Sequence, residues 1–196
     1  MTRHTVILLL ILAVVAAAGY VSNVQHSGGA HVNRLGFYAS AVIAQFLLLR
    51  YTLVGWRAPW REIIGPFRWI DIVVAGALFF AIRFASIAIH RLMPIDDHTA
   101  FMKPQTIVEI AVWIVVSCVA GFCEEIVFRG YLQRRLPIGV VAQAIVFGIS
   151  HGYQGVRSVI GITVIGLLFG VVAKWRRTLV PGILAHAATD IVGGLL

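Results

Sequence analysis

Three short groups of ionisable residues interrupt the apolar C-terminal half of the chain: Glu124-Glu125-Ile126-Val127-Phe128-Arg129, Phe147-Gly148-Ile149-Ser150-His151-Gly152 and His186-Ala187-Ala188-Thr189-Asp190. Charge is expensive in hydrocarbon, so each group is a candidate for chemistry rather than for solubility. On a helix Glu125 and Arg129 share one face at i,i+4, acid before base, and are expected to form an internal ion pair. Glu124 points about 100° away from Glu125, so the two cannot both pair with the same neighbour. It is left buried and without a sequence-local partner, the setting in which a carboxylate serves as general base or acid. His186 and Asp190 also lie i,i+4 on one face. The acid can orient the imidazole, or both can point at one water or metal. The glycines flanking His151 suit a close helix approach or a small cavity.

No serine or cysteine nucleophile is implied. Ser150 is expected to face about 100° away from His151 on a helix, and Cys123, beside Glu124, is expected to pack. Cys118 and Cys123 stand five residues apart, on different sides of one helix, which suits neither a disulfide nor a metal motif.

The elements that carry these groups are membrane helices. Of the 196 residues 60% are hydrophobic and 12% charged, about half the charged fraction of a soluble domain. The mean hydropathy is +0.91. A soluble enzyme, a disordered chain and a disulfide scaffold are thereby excluded, and long apolar runs without alternation argue against an outer-membrane barrel. Seven apolar segments, at about 5–21, 35–56, 70–92, 105–128, 138–153, 156–173 and 179–196, predict an all-α polytopic protein with about seven transmembrane helices. Most reach the ~20 residues needed to cross the bilayer. The fifth is shorter, and the fourth runs on through Arg129 to Arg135. No repeat or linker divides the chain. It reads as one membrane domain, with three N-terminal transmembrane helices in 1–104 and a four-helix catalytic core in 105–196. The first segment is expected to be a retained helix rather than a cleaved signal.

Rise per residue gives a depth for each group. Glu124 lies about 15 Å from the basic cluster at Arg134, His151 about 20 Å from the same side at Ile138, and His186 about 13 Å beyond Arg177. All three converge near the middle of the bilayer, as one shared site requires. Of the 16 Lys and Arg residues, 11 fall on the side of the N-terminus and 4 on the other, with Arg83 inside the third segment. The positive-inside rule then puts the N-terminus in the cytoplasm of an integral inner or plasma membrane protein. The net charge of +8 lies in short loops between spans, so it implies a membrane surface and no nucleic acid.

Glu-Glu-x-x-x-Arg, then Phe-x-x-x-His, then His-x-x-x-Asp, each on its own span, resembles the CPBP family of intramembrane proteases. That family includes the type II (Rce1-like) CAAX prenyl proteases and the bacterial abortive-infection (Abi) proteins. The likeness covers about residues 105–196, and the family's third motif ends in Asn or Asp, so Asp190 fits it. The resemblance implies an endopeptidase cutting a membrane-associated protein or peptide, with Glu124 activating water and His151 helping. His186 and Asp190 would bind the scissile carbonyl or oxyanion, and Glu125 and Arg129 would support the first motif. It admits two mechanisms, a metal-free glutamate type and a metalloprotease holding zinc on His151, His186 and Asp190. Without a His-Glu-x-x-His arrangement the metal-free mechanism is favoured and no cofactor is expected. Substrates of such relatives include prenylated C-terminal partners, peptide precursors and C-terminal sorting signals.

Two non-proteolytic readings compete. Midplane Glu and His also occur in proton-coupled carriers, yet the chain has no repeat and its polar groups cluster in three motifs rather than along a path. A bacteriocin-immunity scaffold is the other; the complete motif set argues against it. Outside the motifs, Arg83 needs a partner such as Glu125 or a substrate carboxylate. Glu109 is expected to be structural, at the outer end of the fourth segment. His26, His31, His90 and His98 fall in or beside outer loops, and Trp56, Trp60 and Trp69 suit interfacial anchors.

Overall fold

The computed structural model describes residues 2–26, 33–57, 59–93 and 103–196. They form helices α1 (Arg3–His26), α2 (Arg34–Trp56), α3 (Trp60–Ile64), α4 (Ile70–Leu92), α5 (Ile107–Glu124), α6 (Gln133–Arg135), α7 (Gly139–Ser150), α8 (Val156–Arg176) and α9 (Val180–Leu195). No β-strand occurs among the described residues. The chain is an all-α polytopic membrane protein. The expected segments recur as α1, α2, α4, the continuous helix 107–135, α7, α8 and α9. His31 and His98 lie outside the described residues.

Four of these helices are long and apolar enough to cross a membrane: α2, α4, Ile107–Arg135 and α8. The other two core helices are short. The fifth segment, expected to run to residue 153, ends its α-helix at Ser150 and gives way to a 3₁₀ turn, Gly152–Gln154. Pro137 precedes α7, and Gly155 behind the turn takes φ 92, a left-handed conformation open to glycine. With 12 residues, α7 spans about 18 Å, and α9 with 16 residues about 24 Å, both below the ~30 Å of the hydrocarbon core. His151 therefore stands just past a helix end inside the bundle rather than in the middle of a span.

Between α5 and α6 the helix changes winding. Glu125–Leu132 is a π-helical stretch, a rare form concentrated at functional sites, where the sequence predicts plain α-helix. All eight of its residues are buried. It places Glu125 and Arg129 in the interior while α6 carries Arg134 and Arg135 to the surface.

Small residues set how closely the site-bearing helices meet. A Cβ on Gly121 would lie 2.9 Å from the Ala187 nitrogen, so α5 and α9 touch backbone to backbone one turn before Glu124. A Cβ on Gly148 would lie 1.9 Å from Thr163 Oγ1, which brings the end of α7 against α8. The α4 and α8 ends are tied by a fully buried carboxylate: Asp71 accepts from Arg176 Nε at 3.0 Å and from the Arg68 backbone N–H at 2.8 Å. At the start of α5, Thr106 and Glu109 form a reciprocal capping box. That gives Glu109 the structural role expected of it.

Candidate active site

The three motifs meet. The π-helical stretch delivers Glu125 and Arg129, the last residue of α5 is Glu124, the end of α7 presents His151, and α9 contributes His186 and Asp190. Glu124, His151, His186 and Asp190 line one cavity of about 370 Å³ between α2, α4, α5, α7, α8 and α9, within the range of small-ligand sites.

Arg129 and Glu125 form the buried foundation. Arg129 Nη1 donates to Glu125 Oε1 at 2.8 Å, and both side chains are 0% exposed. The guanidinium also lies over the rings of Phe147, at 4.2 Å, and Phe169, at 4.9 Å, which replaces part of its lost hydration. Glu125 Oε1 accepts a second hydrogen bond, from His186 Nδ1 at 3.2 Å. A carboxylate acceptor at Nδ1 fixes a proton there and leaves Nε2 to face the cavity.

That contact corrects one expectation. Glu124 and Glu125 do reach the same neighbour, because an imidazole has nitrogens on opposite edges: Nδ1 of His186 meets Glu125, and Nε2 lies 3.7 Å from Glu124 Oε2. The 100° between adjacent side chains separates two directions but not two sides of one ring.

His151 is oriented in the same manner. Its Nδ1 lies 2.8 Å from the Phe147 carbonyl oxygen, to which it donates, so Nε2 faces the cavity, 3.9 Å from Glu124 Oε2. Ser150 does not point away as expected: its Oγ is 3.3 Å from His151 Nδ1. Because His151 sits past the helix end, the 100° spacing does not apply. The serine proton is donated to the Phe147 carbonyl at 2.7 Å, the acceptor His151 also uses, so no Ser–His dyad forms. Cys123 is buried and Cys118 exposed; both are free thiols.

Glu124 stands at the centre. Its Oε1 accepts from Gln45 Nε2 of α2, while Oε2 has no hydrogen-bond partner among the described residues and faces both histidines. His186 Nε2 is also 3.6 Å from Asp190 Oδ2. Separations of 3.6–3.9 Å exceed a direct hydrogen bond, and the polar edges they leave open face the cavity, where a water or substrate atom can reach more than one of them from the side. Gln45 carries no charge to mark it in the sequence; an amide in an apolar segment is the signal it leaves.

Among the described residues no group of three or more His, Cys, Asp or Glu side chains is placed to hold a metal ion. His151, His186 and Asp190 do not form such a group.

Arg83, at mid-height of α4, lines the same cavity, as does Lys103. Glu125 is not its partner, being held by Arg129 and His186. Arg83 has no ion-pair or hydrogen-bond partner among the described residues.

Gly182, in the first turn of α9, makes room for Glu125: a Cβ there would lie 2.6 Å from Glu125 Oε2. Gly182→Ala is expected to push the carboxylate off His186 and lower turnover by about 100-fold, the effect of an ångström-scale misplacement, with a loss of stability of about 1–3 kcal/mol from the overpacked site. Steady-state kinetics on the purified variant checks this; unchanged turnover would show that the Glu125–His186 contact is dispensable.

The family model for type II CAAX prenyl endopeptidase Rce1-like matches residues 106–192, the stretch that holds all three motifs. No curated protein and no solved structure matches the chain.

Proposed function

We propose that this chain, whose residues 106–192 belong to the Rce1-like family of type II CAAX prenyl endopeptidases, hydrolyses a peptide bond of a membrane-associated substrate with water activated by Glu124. The observation that carries the reading is the free Oε2 of Glu124, 3.7 Å from His186 Nε2 and 3.9 Å from His151 Nε2. A water on the cavity side of these atoms, within hydrogen-bond reach of Glu124 Oε2, gives it a proton as the water oxygen attacks the scissile carbonyl carbon. The Gln45 amide holds the other carboxylate oxygen and aims the base. The developing oxyanion accepts a hydrogen bond at the imidazole face of the cavity, where the carboxylates of Glu125 and Asp190 beside His186 favour the imidazolium form that donates from Nε2. The proton on Glu124 passes to the leaving nitrogen as the C–N bond breaks, which restores the carboxylate. Asp190 orients and balances His186. No step is routed through a metal.

The cavity also supports a substrate class. It runs from Glu124 toward the end of the bundle that holds Lys103, Tyr153 and Gln154, the cation-poor side, which the positive-inside rule places away from the cytoplasm. Arg83 in its wall, without a partner among the described residues, suits the free carboxylate of a substrate C-terminus, reached by a peptide lying along the bilayer. Arg83→Gln is expected to raise KM about tenfold or more, the scale of one charge-assisted hydrogen bond. The effect should appear for a peptide ending in a free acid and vanish for the same peptide as its amide. Equal effects on both would remove the carboxylate role.

The reading is tested with purified protein in liposomes and two fluorogenic peptides ending in Cys-aliphatic-aliphatic-Ser, one prenylated and one not. Cleavage that persists in chelator and is lost in His151→Ala supports it. Loss in chelator with recovery in zinc would assign the water to a metal instead, and cleavage by His151→Ala at the wild-type rate would remove the site.

A further inference from the structure

A second cavity, of about 380 Å³, opens at the opposite end of the bundle, between α6, the start of α7 and the end of α8. Arg134, Lys174 and Arg177 surround it, buried Arg129 stands at its inner wall, and no acidic side chain lines it. The Arg129 charge is answered by Glu125. Arg134 donates to the Ile63 carbonyl at 3.0 Å and covers the Trp56 ring, contacts that leave its charge uncompensated. Lys174 and Arg177 have no side-chain ion-pair or hydrogen-bond partner among the described residues. Three like charges around one cavity repel one another unless an anion lies between them.

The backbone points the same way. Gly139 and Val140, the first residues of α7, line the cavity, and this helix starts without a side-chain cap. Val141 and Ala142 donate to the Ile138 carbonyl, at 2.8 and 3.1 Å, which leaves the Gly139 and Val140 N–H groups, without an acceptor among the described residues, to meet an anion at the positive end of the helix. The residue before it, Ile138, takes φ 47, an outlying conformation for a β-branched residue and one that Gly or Asn adopts more readily. Gly139 is required, since a Cβ would lie 1.9 Å from the Gln133 carbonyl oxygen. At the inner wall the Nε of Arg129, a residue 1% exposed, finds no acceptor.

We propose that this cavity binds the phosphate of an anionic phospholipid headgroup. It lies on the face with 11 of the 16 basic residues. Exposed Ile138, Val141 and Trp175, next in sequence to lining residues, give acyl chains an apolar surface beside it. Basic pockets between membrane helices on that side of a bilayer recognise such headgroups. The guanidinium at the inner wall is the one that holds Glu125, so two residues, Arg129 and Glu125, stand between the headgroup and His186.

The test is native mass spectrometry of the full chain in detergent, titrated with phosphatidylglycerol, phosphatidylcholine or inorganic phosphate. The wild type and the exposed-rim variant Lys174→Gln/Arg177→Gln are compared with Arg61→Gln/Arg68→Gln, which removes two cations of the same face outside the cavity. Saturable phosphatidylglycerol binding is expected, with about a thirtyfold loss in the rim variant, roughly fivefold for each basic residue at an anionic surface, and little loss in the control. Equal losses in both variants would reduce the effect to general attraction and overturn the site. Inorganic phosphate binding as tightly as the lipid would overturn the lipid as occupant.

Discussion

Replacing Glu124 by Gln is expected to lower peptide hydrolysis about 1,000-fold, the middle of the range for loss of a general base, while the protein stays folded. The amide is isosteric with the carboxylate, and its carbonyl oxygen can still accept from Gln45. The side chain can no longer take a proton from water across the gap to His151 and His186. Because Glu124 is tied by one hydrogen bond and makes no direct ion pair as short as that of Glu125, its charge contributes little to holding the helices. Thermal unfolding in detergent should therefore shift by no more than a few degrees. Turnover within tenfold of wild type would show that Glu124 is not the base. A collapse of stability would show that it is part of the frame.

Arg129→Ala is expected to do the reverse, acting first on stability. The substitution leaves Glu125, fully buried beside Gly182, with His186 as its one remaining cationic or donor partner. It also strips the cation from between Phe147 and Phe169. Breaking one member of a buried pair costs about 3–5 kcal/mol, a large share of the ~5–15 kcal/mol that holds a domain. A second change, Glu125→Gln, removes the stranded charge and should recover part of the loss, a coupling that a double-mutant cycle of unfolding free energies measures. A single variant that unfolds at the wild-type temperature would end the ion-pair explanation.

The motifs themselves were legible because the membrane makes every buried charge conspicuous. Spacing paired Glu125 with Arg129, and rise per residue brought Glu124, His151 and His186 to one depth; the structure places them around one cavity. What eluded the sequence was local geometry with no compositional mark. The π-helical winding of 125–132 carries no Gly-Pro signature, since its hydrogen bonds shift by one residue without a breaker. The early end of α7 at Ser150 depends on Gly155 and on packing against α8, and it is what turns Ser150 toward His151. Adjacent Glu124 and Glu125 were separated by a rule about directions that ignores the width of an imidazole. Gln45 and Asp71, one neutral and one near a loop, lack the mark of a charge inside a span, although Gln45 holds Glu124 and Asp71 holds Arg176.

The most direct measurement is a double-mutant cycle on hydrolysis, with wild type, Glu124→Gln, His151→Ala and the double variant assayed on the same liposome-bound peptide. If one water is shared between Glu124 Oε2 and His151 Nε2, either substitution alone removes its activation. The double variant should then be no slower than the slower single variant, the non-additivity of residues that act as a unit. Losses that multiply, so that the double variant falls by the product of the two single effects, would contradict a shared water and separate the two residues into independent roles.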